Sequence, residues 1–149
     1  VMSNLIHFIL ALPVLLVFLL LTGIPLHSTI LLLPLLIALQ FVLTLSVSYF
    51  LATFHVAFRD IQHLVGVMLM LFFYLTPIFY DAAIVPAQFQ FIYRLNPMVH
   101  LLDAYRAIFV TGEMPSWPPL LVLGAIGTVL LLWGYRVFLN ASYTFVEEL

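Results

Sequence analysis

Apolar residues occur in four long stretches, which are separated by short groups of polar residues, glycine and proline. A membrane-spanning helix needs about 20 apolar residues, because a helix rises about 1.5 Å per residue and the hydrocarbon core is about 30 Å thick. The pattern therefore predicts an all-α membrane protein with four transmembrane helices. The predicted spans cover approximately residues 5–21, 29–54, 61–79 and 118–135.

The segment between the third and fourth stretches fits neither a span nor a polar loop. Its two helical patterns, at about 87–95 and 98–110, are too short to cross a membrane but are rich in aromatic and aliphatic residues. Asn96-Pro97 separates them, because proline disfavours helical geometry in the preceding residue. Backbone that does not span survives at membrane depth only where protein buries it or a wet cavity borders it. We therefore expect a pair of short re-entrant or interfacial helices over about 87–110.

Composition agrees with a membrane chain. Hydrophobic residues make up 66% of the sequence and charged residues 7%, whereas a soluble domain is about half apolar and about a quarter charged. Four arginines and no lysine cannot form the basic patch that nucleic-acid binding requires, which excludes that class. The arginines divide two and two between the sides of the predicted topology, so charge alone does not orient the chain.

Sequence motifs for catalysis or metal binding are absent. The five histidines never occur at the i, i+4 spacing of a helical metal pair, and no cysteine is present. No phosphate-binding glycine loop and no nucleophile elbow occur in the sequence. We therefore predict no metal site, no cofactor bound by this chain and no enzyme activity of its own.

The chain contains four segments in a distinctive order: FHVAFRDIQHLVGVMLMLFFYLTPIFY at 54–80, Val85-Pro86, LNPMVHLLDAYRAIF at 95–109 and FVEEL at 145–149. This ordered set resembles the C-terminal half of an ABC-2 type permease. It is most similar to the branch that exports O-antigen, capsule and teichoic-acid polymers.

The resemblance implies a multi-pass permease subunit in the bacterial inner membrane. Such subunits form a homodimer, pair with two separate ATP-binding subunits that hold ATP and Mg, and move a lipid-linked glycan outward. The chain, residues 1–149, would form a single permease domain containing spans three to six of six. It begins with valine, and we expect it to be incomplete at its N-terminus.

The resemblance also orients the chain and suggests two groups of functional residues. It places the turn between the second and third spans in the cytoplasm, where Arg59, Asp60 and His63 become candidates for coupling to the ATPase. The alternative is that these residues only mark a hairpin turn. The short helix pair lies on the outer face, and its candidate gate residues are Asn96, Pro97, Asp103 and Arg106. Asp103 and Arg106 share one helical face, so a purely structural ion pair is the alternative.

A third group of residues is a candidate lining for the transport path. Gln40, Thr44 and Ser48 form a polar stripe along the second span, which either lines the path or hydrogen bonds across a helix seam. Aromatic planes can stack on the apolar faces of sugar rings without a fixed register, and lipid-facing or core packing is their alternative role. The aromatic candidates are Phe72, Tyr74 and Tyr80.

Other functions stay open at the level of sequence. One is an ABC-2 permease for drugs or lipids, and a purely structural membrane protein is another. A third is a membrane-embedded enzyme acting on lipid-linked sugars. That enzyme would need converging carboxylates, for which Asp81, Asp103 and Glu113 are the candidates.

Overall fold

The computed structural model of the chain describes residues 1–25, 27–57, 60–76, 78, 86 and 90–147. These residues form helices, turns and loops and contain no strand, which confirms the all-α prediction. The helices are α1 (Met2–Leu21), α2 (Leu33–Ala57), α3 (Ile61–Leu75), α4 (Gln90–Leu95), α5 (Pro97–Arg106) and α6 (Trp117–Glu147). A 3-10 helix at Ser28–Leu32 leads into α2, and a π-helical turn at Ala107–Thr111 continues α5.

Within the described residues, three helical segments are long and apolar enough to cross a membrane. They are Met2–Leu21, Ser28–His55 and Trp117–Leu139. These three candidate segments overlap the first, second and fourth predicted spans, and the last extends further than the predicted end at residue 135. These segments keep a high mean hydropathy over a full membrane thickness because they contain polar residues but at most two charged ones in the apolar window.

Helix α3 is shorter than the predicted third span. Helix α3 has 15 residues and rises about 22 Å, less than the thickness of the hydrocarbon core. Helix α3 stops at Leu75, so the described residues are helical over only part of the predicted span at 61–79, and residues 77 and 79 lie outside the described residues. Thr76 adopts extended geometry, with φ −90° and ψ 128°, as expected for a residue that precedes a proline.

Helix α1 ends in a Schellman motif. Gly23 takes φ +79°, a left-handed geometry that glycine adopts without a Cβ clash. The N–H groups of Gly23 and Ile24 donate to the carbonyls of Leu20 and Leu19, both at 3.1 Å. The motif satisfies carbonyls that the helix end would otherwise leave open, and it turns the chain toward α2.

The hydrophobic core forms where the short helix α5 meets the long helices. Buried side chains from α1, α2, α5, the π turn and α6 make one cluster. Its members are Leu12, Leu19, Leu33, Leu36, Ala104, Ile108, Phe109 and Leu120. In contrast, α3 has no buried residue in this chain. The segment after α5 is therefore an integral part of the helical bundle.

Helices α2 and α6 pack through a seam of glycines. A Cβ atom at Gly127 would lie 2.8 Å from Cδ2 of Leu43, and one at Gly134 would lie 3.1 Å from Cε2 of Phe50. Such contacts are tighter than side chains accept, so glycine permits the close approach of the two helices. The edge-to-face pair of Phe50 and Trp133, with centroids 5.4 Å apart, extends this interface.

We expect Gly127→Ala to lower the free energy of unfolding by about 1–3 kcal/mol, because the added methyl group overpacks against Leu43. The measurement is the thermal unfolding midpoint of the purified full-length protein in detergent. Gly66→Ala on α3 is the matched control, since a Cβ atom there meets nothing within 4 Å. Equal losses in the two variants would contradict the close approach of α2 and α6.

Candidate functional site

Helix α5 begins at a buried polar connection to the end of α3. The Asn96 side chain accepts a hydrogen bond from the Met98 N–H at 3.0 Å, and Pro97 occupies the first turn. This is a favourable N-cap, because proline has no N–H to leave unsatisfied. The Asn96 Nδ2 donates to Thr76 Oγ1 at 3.1 Å, and both side chains are buried. Asn96 therefore starts one helix and fixes it to another.

The other end of α5 contacts the turn that precedes α2. The helix continues into the π turn Ala107–Thr111, which ends at Gly112 with a left-handed φ of +69°. The Thr29 hydroxyl donates to the carbonyl of Ile108 at 3.2 Å, and Ile108 is 0% exposed. A π turn at this position is notable because such irregularities are frequent at functional sites.

Tyr105 lies at the centre of the site. Its hydroxyl donates to Gln40 Oε1 at 2.8 Å. Its ring is edge-on to Phe8, with centroids 5.9 Å apart, and parallel to Phe109, with centroids 6.3 Å apart. Burial raises the pKa of Tyr105 to about 12, so the phenol stays a protonated donor near neutral pH. Gln40 is roughly 18 Å along the helical segment from Ser28, at about 1.5 Å per residue, so Tyr105 reaches deep between the long helices.

The three residues of the predicted polar stripe form two kinds of hydrogen bond, within α2 and to another helix. The hydroxyls of Thr44 and Ser48 donate to the carbonyls of Gln40 and Thr44 on their own helix, at 2.8 and 2.7 Å. Only the Gln40 side chain of the three has a hydrogen bond to another helix in the described part of the chain. A cavity of about 80 Å³ opens beside Gln40 and Thr44, and Asn4 of α1 also lines it. Most of its lining is apolar, from Val1, Leu5, Phe8 and Phe41.

The charged residues of α5 face the end of α3. Arg106 Nη2 donates to the carbonyl of Ile78 at 3.0 Å. Loss of surrounding water by burial raises the pKa of the Asp103 carboxyl, and the positive charges of Arg106 and His100 oppose that rise. Asn96 and Arg106 thus contact Thr76 and Ile78, and the sequence analysis missed both of these partners. The one sequence signal for this contact was the polar residue Thr76 at the end of an apolar stretch.

Among the described residues, the other predicted candidates do not join this site. Phe72 and Tyr74 are exposed on α3, and Tyr74 forms an edge-to-face pair with its neighbour Phe73. Asp60 precedes α3, and its carbonyl accepts the His63 N–H at 3.2 Å. Arg59 and Tyr80 lie outside the described residues, as does Asp81. The transport and coupling roles of these residues stay predictions.

Two further observations bear on chemistry. The described residues contain no group of three or more His, Asp or Glu side chains that could hold a metal ion.

An open groove of about 620 Å³ between α2 and α6 is lined by apolar residues, glycine and Thr128. The Thr128 hydroxyl donates to the carbonyl of Gly124 at 2.7 Å. The groove therefore suits apolar chains rather than charged ligands.

Comparison with known proteins gives consistent similarities. Residues 1–110 match the family described as ABC-2 type transporter. The chain is 34% identical over 151 residues to the O-antigen export system permease protein RfbA of Myxococcus xanthus. It is 32% identical over 150 residues to the protein of the same name from Klebsiella pneumoniae. Both alignments include the whole of this chain and 58% of the relative, so the chain spans less than two thirds of their length.

Proposed function

Since this chain belongs to the ABC-2 type transporter family, we propose that it is part of the permease subunit of a polysaccharide exporter. The cargo is a lipid-linked glycan of the O-antigen, capsule or teichoic-acid type, which moves outward across the bacterial inner membrane. The observation that carries this proposal is the similarity of the whole chain to O-antigen export permeases. The apolar helices support a multi-pass membrane location.

A separate ATP-binding subunit supplies the energy in this proposal. It holds ATP and Mg, and its two nucleotide states favour different arrangements of the permease. A homodimer of permease subunits forms the path. The exposed apolar side chains of α3 support additional protein or lipid around that helix, because a helix that is apolar on all sides is normally covered. Arg59, Asp60 and His63 couple the two kinds of subunit on the cytoplasmic side.

Helices α4 and α5 form the outer gate of the proposed exporter. We propose that they re-enter the membrane between the long helices, since α5 is short but contributes buried residues and the Tyr105–Gln40 hydrogen bond. Asn96 and Pro97 set where α5 starts, and Asp103 and Arg106 move with it. Gln40, Thr44 and Ser48 border the path, and Phe72, Tyr74 and Tyr80 offer aromatic planes to the sugar rings.

The proposal is tested by deleting the gene for the full-length protein and measuring polysaccharide at the cell surface. We expect surface polysaccharide to disappear and lipid-linked glycan to accumulate inside the inner membrane, with recovery when the gene is returned. Unchanged surface polysaccharide, or loss of drug or lipid efflux instead, would contradict glycan export.

Exchange of Asp103 and Arg106 tests the gate. The double variant Asp103→Arg/Arg106→Asp keeps the i, i+3 charge pair on α5, but it removes the guanidinium that donates to the Ile78 carbonyl. We expect normal assembly with export reduced about fivefold or more, because the link between α5 and the segment after α3 is lost. Subunit assembly is measured by co-purification and export by surface polysaccharide. Full export by the exchanged protein would indicate that the two residues only pair.

A further inference from the structure

The side chain of His27, in the turn that precedes α2, lies against the residue that ends the π turn. The imidazole ring of His27 lies against Gly112, where an added Cβ atom would come within 2.6 Å of Nδ1 and closer still to two ring carbons. Position 112 must therefore lack a side chain for the ring to lie there. The left-handed φ of +69° at Gly112 requires glycine for a second, independent reason.

The contact lacks the hydrogen bond that a buried imidazole normally makes. Nδ1 of His27 is buried and has no hydrogen-bond partner among the described residues. A ring nitrogen that loses water without gaining a protein partner raises the free energy of the packed arrangement. The hydrogen bond beside it, from Thr29 to the Ile108 carbonyl, is long at 3.2 Å. The two segments are thus close in space, and the contact of the His27 ring with Gly112 leaves a buried ring nitrogen unsatisfied.

We infer that the contact between His27 and Gly112 is a releasable joint of the transport cycle. In the arrangement described above, it holds the turn preceding α2 against the C-terminal end of α5 and its π turn. In the other arrangement the ring leaves Gly112, and Nδ1 regains hydrogen bonds to water. His27 and Gly112 are positioning residues, since they act through α5. The inference rests on the proposed function for the existence of two arrangements.

The joint can be locked by a cysteine pair. The chain has no cysteine of its own, so the double variant His27→Cys/Gly112→Cys introduces two defined thiols into the full-length protein. An added Cβ at position 112 lies within 3.0 Å of Cγ of His27, so the two Cβ atoms are less than about 4.5 Å apart when one C–C bond is added. That separation permits a disulfide.

We expect oxidation of the double variant, in complex with its ATPase partner, to reduce export at least tenfold and a reducing agent to restore it. The single variant His27→Cys is the control for the oxidant and for cysteines elsewhere in the complex, because a side chain at position 112 would collide with the His27 ring. Full export by fully cross-linked protein would overturn the inference that this contact must open during transport. If a double variant that exports in its reduced form fails to cross-link on oxidation, the inference is also overturned, because the contact would then not exist.

The rate of cross-linking gives a readout that does not depend on the glycan. In membrane vesicles, we expect the rate of disulfide formation to differ several-fold between the complex trapped with nucleotide and the complex without it. A rate that is independent of nucleotide would overturn the joint. If the wild-type complex exports no glycan but the cross-linking rate of the double variant still depends on nucleotide, the proposed substrate fails and the joint stands.

A second substitution avoids strain at position 112. His27→Phe keeps an aromatic ring against Gly112 and removes the buried nitrogen, so the joint should stay closed for longer. We expect a higher thermal unfolding midpoint together with export reduced about two- to fivefold. His7→Phe on α1 is the control, because that ring is exposed and its Nδ1 already has a partner in the Ser3 carbonyl at 2.7 Å. A higher midpoint with unchanged export would indicate a merely structural contact and overturn the inference.

Discussion

Changing Ile108 to alanine should lower the free energy of unfolding of the permease by about 2–5 kcal/mol, as is usual when a fully buried isoleucine is truncated. Ile108 is 0% exposed and belongs to a cluster with Leu12, Leu36 and Leu120 from three long helices. Those helices are also fixed by other contacts, such as the glycine seam between α2 and α6. They cannot collapse around the missing atoms, so a cavity remains.

The measurement is the thermal unfolding midpoint of the purified full-length protein, with Ile126→Ala as the matched control. Ile126 lies on α6 and is 49% exposed, so its truncation removes few protein contacts and should cost less than about 1 kcal/mol. Similar losses in the two variants would show that Ile108 is not part of the core. They would also weaken the support for a re-entrant α5, because Ile108 is the fully buried residue of the π turn that continues this helix.

Changing Asn96 to alanine should cost about 2–3 kcal/mol, since two interactions disappear together. Loss of an N-cap costs about 1 kcal/mol, and loss of a buried hydrogen bond costs about 1–3 kcal/mol. Thr76 keeps its own donation to the Phe72 carbonyl at 2.7 Å, which limits the second loss. We also expect reduced export, because the start of α5 is no longer fixed to the end of α3.

Two further variants separate the stability contributed by the Asn96 N-cap from that contributed by its hydrogen bond to Thr76. Asn96→Ser retains an N-cap oxygen but is too short to reach Thr76, so it should lose only the second part of the stability. Thr76→Val removes the acceptor, and the double variant with Asn96→Ala gives the coupling energy, which we expect to exceed 0.5 kcal/mol. The readout is again the thermal unfolding midpoint. Additive effects of the two single changes would contradict a direct hydrogen bond between these side chains.

The role of Asn96 shows what sequence could predict of the site. Asparagine before proline indicates the end of one helix and the start of the next from local geometry alone, and the structure places the N-cap there. The partner of Asn96 was not predictable in the same way. Thr76 is 20 positions away, and local geometry at Asn96 carries no information about which distant helix end it meets.

The sequence by itself determined the class of the protein and its long helices. Hydropathy over one membrane thickness is a local property, so a single window suffices to detect a span. The four ordered segments between residues 54 and 149 likewise indicated the family, which the comparison confirmed. Helix α3 ends before the predicted end of the third span, because apolar composition does not show the effect of the following proline on Thr76.

Only the tertiary structure decided which side chains meet. The hydrogen bond from Tyr105 to Gln40 joins positions 65 apart, and the one from Thr29 to Ile108 joins positions 79 apart. In a chain that is 66% hydrophobic, nearly every face of every helix can be buried, so periodicity does not select the packed face. The location of His27 over Gly112 depends on the backbone path of two turns, which the order of amino acids does not display.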